Sequence, residues 1–180
     1  VSLNEVENLV QNIVGVAKAD AYFNTNGHLH IKVEQKKAIC RVLTPDGKGY
    51  YIDDKGLIMP WVSVYTPNVF VCTGYISKYG KGLDSLKTNK DLNKGVFKLY
   101  QLLENNEFMK QLISYFYIDK SGNFWLYPVI GNHKFNWGKL EDLEVKIKKT
   151  ETFYSKIIPI KGWDLYKEID LRFNQQIVCK

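Results

Sequence analysis

What the chain lacks narrows its chemistry. No apolar run approaches the ~20 residues of a membrane-spanning helix. No secretory signal is visible, and the chain starts at Val1 without a methionine, so it reads as a fragment whose targeting segment was removed. Only three cysteines occur, Cys40, Cys72 and Cys179. They are far apart and form no C-x-x-C pair, so neither a zinc nor a dithiol redox motif is supported. Each lies in an apolar, strand-like setting and reads as a buried free thiol, with one disulfide left open for an oxidising compartment.

Catalytic signatures are missing too. No G-x-S-x-G elbow is present, and Ser121 falls in a turn between strands. The glycine-rich piece 74–82 lacks both phosphate-loop spacing and the Lys-Ser/Thr ending. No carboxylate pair sits in an apolar run where burial raises a pKa for acid catalysis. The three histidines have no evident acid or thiol partner. The chain therefore reads as a non-enzyme without a cofactor.

What is present is a folded-domain composition: 180 residues, 45% apolar and 14% aromatic, with 12 Tyr and 4 Trp. That aromatic share leans towards sheet. Lys and Arg exceed Asp and Glu by 25 − 19 = 6, which suits an anionic partner or surface. The basic residues are scattered, however. The densest group, Lys146, Lys148 and Lys149, is interleaved with Glu141, Glu144 and Glu151, as on a solvated helix face, and this argues against nucleic-acid binding.

Periodicity then places the elements. Val6, Leu9, Val10 and Ile13 repeat at helical spacing, with Ser2 and Glu5 as a capping box, or Asn4 as cap, and Gly15 as stop. Asn26-Gly27 between alternating segments predicts a hairpin. His28 and His30 share its polar face; without a third ligand nearby they read as exposed rather than metal-binding. Strands are expected at 39–43, 49–52, 57–60 and 69–73. Asp53 and Asp54 fit an Asp-Gly-type turn better than a calcium loop. Residues 74–90 read as an exposed, mobile loop and 91–104 as a helix, with another helical turn or two at 107–112. Strands follow at 113–118, 124–128 and 133–137, and then the longest helix at 140–158, ended by Pro159. This order predicts an α+β fold, with helices packed on one face of a mainly antiparallel sheet.

The last stretch, GWDLYKEIDLRFNQQIVCK, reads as a hairpin around Asn174-Gln175. Ile169, Leu171 and Phe173 fall on one face of its first strand, Asp170 and Arg172 on the other. Ile177 and Cys179 alternate with Gln176 and Val178 in the second. The final strand is then a natural sheet edge with free backbone groups, available for pairing with another chain.

Three stretches together carry a family resemblance. They are helix, strand and strand over 2–34 running into QKKAICRV at 35–42; GYYIDDKGL at 49–57; and Ile169-Asp170-Leu171-Arg172-Phe173 within 166–178. In this order and spacing the chain resembles the extracytoplasmic region of the bacterial cell-division proteins FtsQ/DivIB. The resemblance implies that residues 1–37 are the second half of a POTRA domain, lacking its opening strand and helix, and that 38–180 form the family's β domain. Apolar surface around Val6, Leu9, Val10 and Ile13 is then expected to be exposed or covered by a second copy. A single membrane helix would precede Val1, placing this region on the periplasmic side of the inner membrane. The implied function is a divisome scaffold for septum formation that recruits small bitopic partners of the FtsB/FtsL type by strand addition. The implied contact residues are Gln176, Ile177 and Val178, supported by Arg172 and Phe173, with Arg172 available to a partner carboxylate. The rival reading is an envelope-assembly or peptidoglycan-binding module that stacks sugars on Tyr65, Tyr75 and Tyr79.

Overall fold

The first helix, α1 (Leu3–Gln11), starts where the sequence signals it. Ser2 accepts from the Glu5 N–H at 3.2 Å while the Glu5 carboxylate accepts from the Ser2 N–H at 2.8 Å, the reciprocal arrangement of a capping box. The computed structural model describes residues 2–45, 47, 49–61, 66–76 and 90–180. The expected mobile loop falls largely on 77–89, outside the described residues, as do Tyr65 and Tyr79.

After α1, strands β1 (Val16–Phe23) and β2 (Leu29–Gln35) pair antiparallel as a separate two-stranded sheet. Their turn is the one Asn26-Gly27 predicts. Gly27 holds φ at +77°, and the Asn24 carboxamide oxygen accepts from the Asn26 and His28 N–H groups, an Asx-type closure. His30 stacks on Tyr22 and hydrogen-bonds Asn24. This unit buries little: α1 has no buried residue, Leu9 is 69% exposed, Ile13 is exposed too, and β2 is exposed along its whole length.

The remaining strands form one nine-stranded sheet. In chain order they are β3 (Ala38–Leu43), β4 (Gly49–Asp53), β5 (Ile58–Pro60), β6 (Phe70–Gly74), β7 (Ile113–Ile118), β8 (Phe124–Pro128), β9 (Lys134–Gly138), β10 (Glu168–Asp170) and β11 (Val178–Cys179). In space the order is β11-β10-β9-β8-β7-β6-β3-β4-β5. Five of its eight pairings are antiparallel; β3–β6, β6–β7 and β9–β10 are parallel. Each sequential hairpin is antiparallel because a short turn allows nothing else, whereas the last two parallel joins cross over through helices.

Those helices cover one face. α2 (Lys90–Glu104) and α3 (Glu107–Leu112) contribute Val96, Leu99, Leu103 and Met109 to the core. They meet Cys40, Val42, Cys72, Phe116, Ile118, Leu126, Phe135 and Trp137 from alternate positions of the strands. The α+β class with helices on one side of the sheet is thus the observed one. Gly95, a costly residue in a helix interior, has a spatial reason: a Cβ there would come 3.2 Å from Leu140 Cδ1. Cys40 and Cys72 are buried free thiols, and burial pushes both above the ordinary thiol pKa.

The expected single helix 140–158 is broken into three pieces. α4 (Leu143–Thr152) is followed by a π turn, Phe153–Ile157, and by α5 (Ile158–Lys161). Pro159 does not end the helix; it sits near the start of α5. A proline has no N–H and its ring clashes with the carbonyl four residues back, here Ser155. The wider spacing of the π turn at that place lets the chain continue to Lys161, and the Ile158 N–H bonds five back to Phe153 O.

Candidate functional site

β11 closes one end of the sheet, with β10 as its only strand neighbour among the described residues. Ile169 pairs with Cys179 and Asp170 with Val178. Glu168 and Lys180 exchange both backbone hydrogen bonds, at 3.1 and 2.9 Å. Antiparallel pairs alternate between exchanging bonds and not. Val178 therefore turns its N–H and C=O towards Asp170, while those of Ile177 and Cys179 point away from the sheet. The outer edge is a short row of free backbone groups with a two-residue spacing, as strand addition requires. Side chains follow the same alternation. Ile177 and Cys179 pack against the core, and Lys180 pairs with Glu168 on the opposite face at 3.3 Å.

The turn that feeds this edge is held from three sides. Asp170 is 1% exposed and receives the Arg172 guanidinium in a forked pair, Nε to Oδ1 at 2.9 Å and Nη2 to Oδ2 at 2.6 Å, together with the Arg172 N–H. Burial opposes the Asp170 charge; the Arg172 hydrogen bonds outweigh it, and the carboxyl sits below its ordinary pKa. Gly138, at φ +63°, leaves room for this clamp, since a Cβ there would lie 2.7 Å from Arg172 Cγ. From the helix layer, the Lys149 ammonium donates to the Leu171 and Phe173 carbonyls. Asn136 O accepts from Leu171 N–H at 2.9 Å.

These contacts decide where the sequence-predicted residues lie. The first strand ends at Asp170, three residues sooner than the alternation through Phe173 predicts. Leu171 is still buried in the core, but Arg172 folds back on Asp170 and Phe173 is 45% exposed. Gln176 is exposed; Ile177 and Val178 are half-buried. Arg172, Phe173, Gln176, Ile177 and Val178 thus converge on one turn and its edge. Arg172 already has a carboxylate partner within the chain. Cys179 joins them through its outward backbone groups, a role the side-chain pattern conceals because its thiol faces the core. A cleft of about 210 Å³ opens beside the turn, lined by Lys139, Lys146, Lys149, Arg172 and Asn174, with Glu141 and Asp142 opposite.

Other candidate chemistry is structural. His133 is buried, with Nε2 2.6 Å from the Tyr154 hydroxyl, among Phe135, Phe153 and Trp163. Burial, with Lys167 nearby, lowers its pKa and keeps the ring neutral. Ser121 lies in a turn organised by Asp119, whose carboxylate accepts from the Ser121 and Asn123 N–H groups and Trp125 Nε1. Tyr75, the described member of the three proposed sugar-stacking tyrosines, is exposed, but Lys120 Nζ lies 5.2 Å over its ring. Among the described residues no helix is long and apolar enough to cross a membrane.

Comparison with known proteins places this architecture. A family model described as FtsQ/DivIB, C-terminal related, matches residues 37–180. No curated protein matches the chain.

Proposed function

The chain belongs to the FtsQ/DivIB C-terminal related family of membrane-anchored cell-division proteins, and on that premise we propose that it is a divisome scaffold which recruits a partner by strand addition to β11. The observation that carries this reading is the outward-facing backbone of Ile177 and Cys179 at the open end of the sheet. The partner is a small bitopic division protein of the FtsB/FtsL type, and holding it links this protein to control of septal wall synthesis. The role is that of a scaffold, not a catalyst.

Around the edge, exposed Phe173 supplies an aromatic anchor. Lys139 and Lys149 line the cleft beside it together with Glu141 and Asp142, and Arg172 and Lys180 are paired with Asp170 and Glu168, so the backbone edge and not a charge match carries recognition. Residues 1–37 act as the second half of a POTRA domain. The exposed apolar side chains of α1 and β2 support that reading, because an isolated two-stranded sheet is marginal and needs further cover. A membrane anchor N-terminal to this region would hold it on the extracytoplasmic side.

Proline scanning tests the edge. Cys179→Pro removes an outward N–H, so it is expected to weaken binding of an FtsB-type peptide by roughly tenfold or more while thermal unfolding stays cooperative. Equal peptide affinity in native and Cys179→Pro protein would contradict strand addition at β11. Val178→Pro is the wrong probe, because that N–H belongs to the pairing with Asp170.

A further inference from the structure

The end of the sheet at which β9 and β10 start carries a surface that strand addition does not use. Exposed apolar side chains gather there from three segments: Phe108 on α3, Val129 and Ile130 in the β8–β9 turn, and Ile160, Trp163 and Leu165 on and after α5. Phe108, the 129–130 turn and Trp163 adjoin one another, and Ile160 and Leu165 flank Trp163 along the chain. The Phe108 and Trp163 rings lie 5.7 and 5.9 Å from Tyr154. A Cβ on Gly131, directly after Ile130, would come 3.4 Å from the Trp163 ring. The Val129 N–H bonds to Leu112 O, tying the turn to the helix that bears Phe108. Among the described residues Ile160 is the most exposed large apolar one, at 78%.

Charge says what suits this patch. Within residues 156–167 three exposed lysines, Lys156, Lys161 and Lys167, alternate with the apolar side chains, against a single acid, Asp164. Aliphatic and indole side chains on protruding turns, interleaved with lysine, are the composition of a surface that seats in the headgroup region of a bilayer. A protein partner's groove would need a matching apolar ridge, whereas Val129, Ile130, Trp163 and Leu165 project from irregular segments. Position agrees: β3, β7, β9 and β10 all start at this end, and Lys37, where the chain enters the sheet, lines the same cleft of about 510 Å³ as Val129.

We propose that the face formed by Ile160, Trp163, Leu165 and the 129–130 turn, with Lys156, Lys161 and Lys167, docks on an anionic lipid surface. The inference rests on the family reading for the presence of a membrane within reach. The 171–177 turn lies at the far end of β10 from this face, whereas β11 runs back towards it, Lys180 O accepting from the Lys167 N–H.

The test is co-sedimentation of the 180-residue chain with vesicles of phosphatidylglycerol and phosphatidylethanolamine, against phosphatidylcholine alone. Binding is expected to the anionic vesicles only, to weaken with salt, and to fall roughly tenfold in Lys161→Glu and in Ile160→Asp. Bromolipid quenching of tryptophan fluorescence is expected in the native chain and largely lost in Trp163→Phe. Ile160 is so exposed that its replacement leaves folding intact, and FtsB-type peptide affinity serves as the control. Three results overturn the proposal: absence of vesicle binding, binding indifferent to Ile160→Asp, or a dimer that Ile160→Asp dissociates without any lipid binding. Loss of peptide binding with vesicle binding retained would instead count against the strand-addition reading alone.

Discussion

Two side chains set the local energetics, Asp170 and His133. Asp170 is buried and depends on Arg172 for its charge. Arg172→Ala leaves that carboxylate without its fork, at an expected cost of about 1–3 kcal/mol in urea unfolding. The Asp170 pKa is lowered in the folded state. Its stabilising contribution is therefore full above the ordinary carboxylate range, about pH 4, and is lost as the pH falls through the folded value. Arg172→Ala should flatten that acid limb. His133 acts in the same direction at higher pH. Its folded pKa lies below the ordinary value, so the unfolded chain takes up a proton, at about pH 6.5 and below, that the folded chain resists. Stability is expected to decline as pH drops through that window, and Tyr154→Phe, which strips the hydroxyl from His133 Nε2, should cost about 1 kcal/mol at neutral pH. Denaturant melts at a series of pH values check both residues.

At the scale of elements, the thiols report on strand burial. Cys40 and Cys72 sit in the central strands β3 and β6 and should react with a thiol reagent only on global unfolding, whereas half-buried Cys179 on the terminal β11 should react in the native state. Equal protection of all three would mean that the Cys179 thiol is as enclosed as those of Cys40 and Cys72. Much of this level was legible in the residues. Asn26-Gly27 marked its turn, Ser2 and Glu5 their capping box, and the alternation around Ile177 and Cys179 the last strand. Two things were not. Leu171, Arg172 and Phe173 continue the strand pattern, yet Lys149, some twenty residues earlier, holds two of their carbonyls and Asp170 draws Arg172 aside. No local pattern carries a contact of that range. Likewise the placement of β6 between β3 and β7 depends on parallel crossovers, whose partners adjoin only in space. His133 begins an ordinary-looking strand, and nothing beside it announces the aromatic cage supplied by the π turn.

For the molecule as a whole, the two sheets differ in how much they bury. The nine-stranded sheet shares one core with four helices, while α1 with β1–β2 buries only Ala19 and Ala21. Hydrogen exchange should show the amides of Val16–Phe23 and Leu29–Gln35 opening far sooner than those of Ala38–Leu43 and Ile113–Ile118. Matched protection would mean that the small sheet is stabilised by contacts the exposed side chains do not reveal. The central claim is that the last strand receives a neighbour's backbone. Amide exchange of Ile177 and Cys179, followed by NMR in the free chain and with a saturating FtsB-type peptide, addresses it most directly. The account predicts that both amides, fast in the free chain, become strongly protected in the complex while Val178 changes little. Unaltered exchange at Ile177 and Cys179 with the peptide bound would contradict it.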